Sequence, residues 1–410
     1  MIVRPVRVTL LAALVATATL SLLSPAAESS GTPTSSAKPS SAKPSALSVE
    51  DWREDLRFLV KTMKETHPRL FWRVGQDTLE AAVADLDRRI PSMSDDEIVV
   101  GLLRVAAMPR DGHTHVIPWG GPLATGTVFP VRFYRFSDGV FVTAATKEQA
   151  ELAGARVERI GDVPADEALL RVSDLAGYDN SYQRLERAPF ALITPMLAHG
   201  AGLTSSRESM ELAVVTRKGA RKTVRVAAVP EPNHGAWLID ASLAPEGFAT
   251  TAPPVASRPR SWPRQAYYWF ETLPGTKTVY VQFNEVAHMR EEPFDRFCER
   301  LWAHVDSSGA DRLVLDIRNN GGGNNQILKP LYHGVIKRDG INRRGAFVTI
   351  IGRRTYSAAM NCVAFLEVHT NVLFAGEPTG AAPCQAGDAA RFTLPKSGMP
   401  FQVSRYLWLN

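Results

Sequence analysis

The stretch Leu313-Val-Leu-Asp-Ile-Arg-Asn-Asn-Gly-Gly-Gly-Asn-Asn325 decides how this chain is read. Its first half, rich in Val, Leu and Ile, is the pattern of a strand buried in a parallel sheet. Gly321, Gly322 and Gly323 break the run ahead of a predicted helix from about Asn325. Consecutive glycines let the backbone turn sharply and bring bare N–H groups, helped by a helix N-terminus, to an anion or oxyanion. A plain tight strand–helix turn uses the same residues. No Gly-Lys-Ser/Thr follows, which disfavours a phosphate loop.

On either side of this stretch the spacing predicts repeated β-α units. Tyr268 to Leu273, Pro274-Gly275 and Thr278 to Asn284 form a hairpin, with Pro-Gly as its turn. Phe294, Phe297, Cys298, Leu301 and Val305 have helical spacing. Then come strand Ala346 to Gly352, helix Ser357 to His369 and strand Val372 to Glu377. Apolar strands alternating with helices predict an α/β domain whose sheet is covered on both faces, with ligands at the carboxyl ends of its strands.

At one such end lies Gly352-Arg-Arg-Thr-Tyr-Ser-Ala-Ala-Met360. Ser357 at a strand–helix turn sits beside the N–H of Ala358, where the helix dipole favours a developing negative charge and suits an acyl-transfer nucleophile. Its alternative role is a helix N-cap. The Gly-x-Ser-x-Gly elbow is absent, so this is not an ordinary α/β-hydrolase.

A serine nucleophile needs a base, and Asp111-Gly-His-Thr-His115 is the most distinctive His-bearing segment. On a loop between a helical and a β-rich region, His113 could take the Ser357 proton; the alternative is a surface or capping histidine. Asp-x-His-x-His also matches the metal motif of amidohydrolases. That motif belongs at the end of a first strand in an eightfold barrel, whereas here a helix precedes it and no such repeat is visible.

The rest of the chain sets the frame. It has 410 residues, 45% hydrophobic and 22% charged, with 3 Cys, which excludes wholesale disorder, a collagen repeat and a disulfide scaffold. Arg4 and Arg7, the apolar run Val8 to Leu23 and Ser24-Pro-Ala-Ala27 predict a cleaved signal peptide over 1–27, hence a secreted or extracytoplasmic protein with no stable membrane insertion after cleavage. Residues 28–47 are Ser- and Pro-rich and predict a disordered tether. Of the formal charge of +5, +3 falls in residues 1–47 (Arg4, Arg7, Lys38 and Lys43 against Glu28), so the folded part offers no basic stripe for nucleic acid. Export permits disulfides, but Cys298, Cys362 and Cys384 allow at most one and match no zinc spacing.

Residues 48–125 predict helices that carry the His loop. Ser48 with Asp51 is an N-cap pair and Ser94 with Glu97 a capping box; Trp52, Leu56, Leu59, Val60 and Met63 share a face, and Pro68 stops that helix. Residues 126–230 turn β-rich, and the segment from Gly139 to Leu169 has the strand, short helix, strand, turn, helix order of a PDZ-like module. Residues 231–265 are a Pro-rich connection, and 266–410 form the β-α domain.

In this order, the N-terminal helices, Asp-Gly-His-Thr, the PDZ-like insert, Leu-Asp-Ile-Arg-Asn-Asn-Gly-Gly-Gly, Thr-Tyr-Ser-Ala and Gly-Glu-Pro-Thr-Gly resemble the C-terminal processing (tail-specific) serine peptidases, nearest their tricorn-core and interphotoreceptor-retinoid-binding-protein-like branch. The resemblance spans roughly residues 48–410 and implies a crotonase-like catalytic domain, a polypeptide substrate bound in extended form, and no cofactor or metal. It implies Ser357 as nucleophile, His113 as base, and the N–H groups of Gly322 and Ala358 as oxyanion hole. The sequence departs from the family at three points. Ala382 stands where the Ser-Lys branch has its lysine, which excludes that dyad. Gly112 stands where the His branch has an orienting serine. The branch's downstream acid would fall near or beyond Asn410, so the third member is expected to be another group, with Glu377 the candidate, or the chain is truncated and weakly active. The competing expectation is a homologue that binds peptides or hydrophobic ligands without turnover.

Overall fold

The computed structural model describes residues 47–119, 123, 126–230, 248–251 and 266–410. The expected signal peptide, almost all of the tether and most of the Pro-rich connection lie outside the described residues. Among these residues no helix is long and apolar enough to cross a membrane.

Two hydrophobic cores organise the chain. The first begins with helices Val49–Thr66, Gln76–Arg89 and Asp95–Ala107. Both Ser48 and Ser94 make full capping boxes, with Asp51 and Glu97, where only the second was expected to be complete. Trp52, Leu56, Leu59 and Met63 are buried, and the helix ends at Thr66 ahead of Pro68. Asp55 is buried on the same helix, its carboxylate accepting the backbone N–H groups of Lys396 and Ser397 at 2.8 and 2.9 Å. The turn at Lys396 and Ser397 is therefore tied to helix Val49–Thr66.

A seven-stranded sheet completes this core. It runs Phe248–Thr250, Gly139–Thr146, Arg156–Ile160, Ser209–Val215 and Arg221–Ala227, with Val131–Phe136 and Val163–Pro164 pairing off that path. From Gly139 to Val172 the order is strand, 3-10 helix, strand, turn, short strand and helix. Two helices, Ser181–Ile193 and Pro195–Gly200, interrupt the region expected to be β-rich. The first carries Pro189 inside it, the kind of residue that argues against a helix in sequence. Its N-cap, Asn180, accepts from the N–H groups of Tyr182 and Gln183.

Leu394, Met399, Phe401 and Val403 also join the first core. The strand expected from Phe401 to Leu409 is two strands, Pro400–Val403 and Tyr406–Trp408. The former pairs with His115–Val116, the latter with Gln385–Gly387. The C-terminal segment thus supports the His loop from behind.

The second core is built on a five-stranded sheet. Tyr268–Thr272 runs antiparallel to Thr278–Phe283, followed in parallel by Arg312–Asp316, Phe347–Ile351 and Leu373–Gly376. Helices Phe294–Ser307, Lys329–Ile336 and Ala358–His369 pack on it. Val279, Val281, Phe283, Leu313, Leu315, Ile317 and Phe347 face these helices, with Phe294 and Phe297 fully buried between the layers. Burying one such phenylalanine is worth about 1.5–3 kcal/mol. The alternating residues Val314, Val348 and Ile350 stay outside this cluster and are half-buried. The helices of this core therefore cover one face of the sheet, not two as the apolar runs suggested. The reason is the period of two along each strand, which sends Asp316 and Arg318 away from the helices. Cys298, Cys362 and Cys384 are all free.

Candidate active site

The carboxyl ends of Arg312–Asp316 and Phe347–Ile351 carry the glycine turn and the Ser357 turn, and the two are laced together. Asn320 is fully buried, donates its side-chain NH2 to Phe283 O (3.0 Å), and through its backbone oxygen accepts Tyr356 N–H (3.1 Å). Thr355 Oγ1 donates to Ile317 O at 3.0 Å. Gly322 sits at φ +105°, and a Cβ there would lie 2.6 Å from Ser357 Cβ and 2.9 Å from Ala358 N. Only glycine fits between the two turns.

Ser357 adopts φ +54° and ψ −125°, an arrangement that costs a non-glycine residue about 1–3 kcal/mol. It precedes helix Ala358–His369 without making a side-chain cap. Its carbonyl instead accepts Asn361 N–H and the buried Gln385 side chain, each at 3.1 Å. The hydroxyl is left to face His113, with Oγ 3.0 Å from Nε2. The structure brings Ser357 and His113 together across 244 residues of sequence.

Asp111 shapes the His113 loop. Its Oδ1 accepts His113 N–H (2.9 Å), and its Oδ2 accepts Thr114 and Ser404 hydroxyls (2.6 Å each) and stands 3.2 Å from His67 Nε2. Burial opposes the Asp111 charge, yet His67, His113, Ser404 and Thr114 together hold the carboxyl well below the usual range. Gln402 donates to His113 O at 2.9 Å. Burial also lowers the His113 pKa below its ordinary value; the Asp111 charge opposes this and the Arg187 charge adds to it. His113 is therefore neutral near pH 7, the state a general base needs.

Glu377 does not reach His113. Its carboxylate bonds Arg353 at 2.6 Å and accepts the Tyr134 hydroxyl at 2.8 Å, so it belongs to a clamp between the Arg353 loop and strand Val131–Phe136. The Nδ1 of His113 instead meets the hydroxyl of Tyr356 at 2.5 Å, with the two rings stacked 4.5 Å apart; Asp111 Oδ1 stays 3.9 Å away. The Gly322 N–H is donated to Asn320 Oδ1 at 2.9 Å. Ala358 opens its helix, where a backbone N–H has no intrahelical acceptor.

Sequence reasoning did not single out Tyr356, Gln183 or Asp179. A Cβ on Gly112 would come within 2.6 Å of both Tyr356 Oη and Gln183 Oε1. The missing side chain before the histidine thus makes room for a phenol and an amide. Asp179, buried beneath, has its carboxyl pushed up to about 7 by burial and by the Asp111 charge, against Arg73 and Arg187. Only the adjacency of Tyr356 to Ser357 could have signalled this cluster. His115, in the strand after the loop, is pushed down to about 3 by burial. Among the described residues no group of three His, Cys, Asp or Glu side chains could hold a metal ion.

No protein-family model matches the chain, and no curated protein does. Among solved structures, mature CPAF complexed with lactacystin superposes with TM-score 0.59 at 12% identity, covering 87% of this chain and 89% of that one. Mature CPAF alone gives 0.60 at 13%, covering 87% and 88%. A photosystem II D1 C-terminal processing protease covers 86% and 87% at 13% identity, with a TM-score of 0.36. The chain shares the mixed α/β fold of CPAF across most of both lengths.

Proposed function

We propose that the chain is an exported serine peptidase of the C-terminal processing family, hydrolysing extended polypeptides such as C-terminal tails outside the cytoplasm. The observation that carries this reading is Ser357 Oγ 3.0 Å from His113 Nε2, on a serine held at φ +54° and not used as a cap. The fold shared with CPAF, one structure of which is a serine-to-alanine mutant, supports it.

Ser357 attacks the scissile carbonyl while His113 takes its proton and returns it to the leaving amine. The Ala358 N–H, at the positive end of its helix, holds the oxyanion. The Gly322 N–H joins it by sharing its bond to Asn320. The β-rich module of 126–230, read as PDZ-like, binds the extended chain by strand addition. No cofactor or metal enters this scheme, and no nucleic acid partner is invoked. Peptide hydrolysis and fluorophosphonate labelling of the mature protein beside Ser357→Ala test it; equal labelling of the two removes Ser357 as nucleophile.

One observation favours a second reading, a catalytically weak homologue that binds peptides or hydrophobic ligands. A phenol, not a carboxylate, faces His113 Nδ1. That reading expects ligand binding unaffected by His113→Ala and no turnover.

A further inference from the structure

We infer that Gln385 and Gln402 are positioning residues that together set the distance between Ser357 and His113, each gripping the backbone carbonyl of one member of the pair. The inference deepens the Ser-His reading and rests on it only for the effect on catalysis.

The pair needs such a device because its members belong to different cores. His113 precedes Val116, a member of the first core, and Ser357 precedes Ala358, a member of the second. Their contact is a single 3.0 Å approach of Nε2 to Oγ. Sliding one core against the other by 1 Å would cost about 10²-fold in rate.

Gln385, in strand Gln385–Gly387, is fully buried. Its Nε2 donates to Ser357 O and to Asn361 Oδ1, each at 3.1 Å. Gln402, in strand Pro400–Val403, donates its Nε2 to His113 O at 2.9 Å. A backbone carbonyl can only accept, so both grips need the nitrogen end of an amide. The two strands are joined at short range, because Arg405 N–H donates to Gly387 O at 3.0 Å. A path from one carbonyl to the other therefore runs Ser357, Gln385, Gly387, Arg405, Gln402, His113. Along it, Ser404 also holds the His loop, donating its hydroxyl to Asp111 and its N–H to Thr114 Oγ1. Gly387 lies against the base itself: a Cβ there would stand 3.5 Å from His113 Cε1 and 3.3 Å from the Trp408 ring.

Folding stability does not account for the Gln385 amide. Without it, Ser357 O still accepts Asn361 N–H at 3.1 Å, and Asn361 Oδ1 still accepts the Asn410 side chain at 2.7 Å. The other end of the amide, Oε1, is buried with no donor among the described residues, which is a cost to folding. A methionine of similar length would remove that cost and strand no acceptor. What it would lose is the grip on Ser357.

Gln385→Met and Gln402→Met in the full mature chain separate positioning from packing. Each is expected to slow the covalent step of fluorophosphonate labelling of Ser357 about tenfold, with reagent affinity and melting temperature little changed. The double variant is expected to be slowed by about the same factor, since a pair already loose at one end gains nothing from being held at the other. The contact is also read without turnover: in nitrogen-resolved NMR, Ser357→Ala should shift the His113 Nε2 resonance of the otherwise wild-type chain, and shift it less in the Gln385→Met background. Single variants that label at the wild-type rate overturn the inference, as does a double variant slowed by the product of the two single effects. Slowing that is matched by a fall in melting temperature also overturns it, because packing would then explain the loss. Gln402 is only half-buried, and its variant decides the matter alone if Gln385→Met does not fold. A protein that never labels, yet shows the Ser357-dependent shift weakened by Gln385→Met, would refute the peptidase reading and leave the positioning role standing.

Discussion

Tyr356 Oη lies 2.5 Å from His113 Nδ1, in the place that a carboxylate occupies in a Ser-His-acid triad. The carboxylates nearby serve other ends: Asp111 braces the loop backbone, and Glu377 clamps Arg353. Each assignment has a measurable consequence.

Replacing Glu377 by Gln is expected to reduce turnover by less than about tenfold, because its partners are Arg353 and Tyr134. Loss of a triad acid costs about 10⁴-fold. A loss of that size in kcat for Glu377→Gln would make it the orienting acid after all.

Replacing Asp111 by Ala strands the Thr114 and Ser404 hydroxyls, His67 and the His113 N–H in a buried site. The expected cost is about 3–5 kcal/mol of stability in urea denaturation, by the precedent for breaking buried charged networks. A cost below about 1 kcal/mol would show that the loop is held by something else.

Ser357 contributes strain as well as a hydroxyl. Ser357→Gly should abolish labelling and raise stability by about 1 kcal/mol, since glycine adopts φ +54° without the Cβ penalty. Gly322→Ala does the opposite at the neighbouring turn, forcing a Cβ to within 2.6 Å of Ser357 Cβ, and should lower both stability and labelling. Equal melting temperatures for wild type and Ser357→Gly would remove the argument from strain.

His115 should contribute a loss of stability as pH drops from about 6.5 toward 3, opposed between about 7 and 4 by Asp179, whose carboxyl is pushed up to about 7 on folding. His113 and His115 have folded pKa values below the unfolded one, His115 at about 3, so within that window these two side chains bind more protons in the unfolded chain. The stability is present above the unfolded pKa and is lost on acidification. Asp111, also depressed on folding, adds a loss at still lower pH. His115→Gln should flatten the slope of unfolding free energy against pH in this window; an unchanged slope contradicts a buried neutral His115.

The five-stranded sheet was legible because its strands are short apolar runs punctuated by Pro-Gly and Gly-Gly-Gly, and local turn chemistry fixes such boundaries. Ser357 and His113 were legible only as a pair of segments in a family-like order, since each alone has an ordinary alternative. The helix Ser181–Ile193 was hidden by Pro189. The sharing of the first core with Leu394 to Val403 was hidden because contacts across more than 300 residues leave no local pattern. Tyr356 and Gln183 were missed for a related reason. Their place follows from the empty space at Gly112, and a missing side chain shows what it admits only once the chain is folded.

The most direct test of the central claim is mass-spectrometric mapping of the fluorophosphonate adduct, with labelling rates compared for wild type, Ser357→Ala and His113→Ala. The account predicts one adduct on Ser357, none on the Ser357→Ala protein, and labelling slowed by at least about 10³-fold in His113→Ala. An adduct on another residue, or labelling of Ser357→Ala at the wild-type rate, would contradict it.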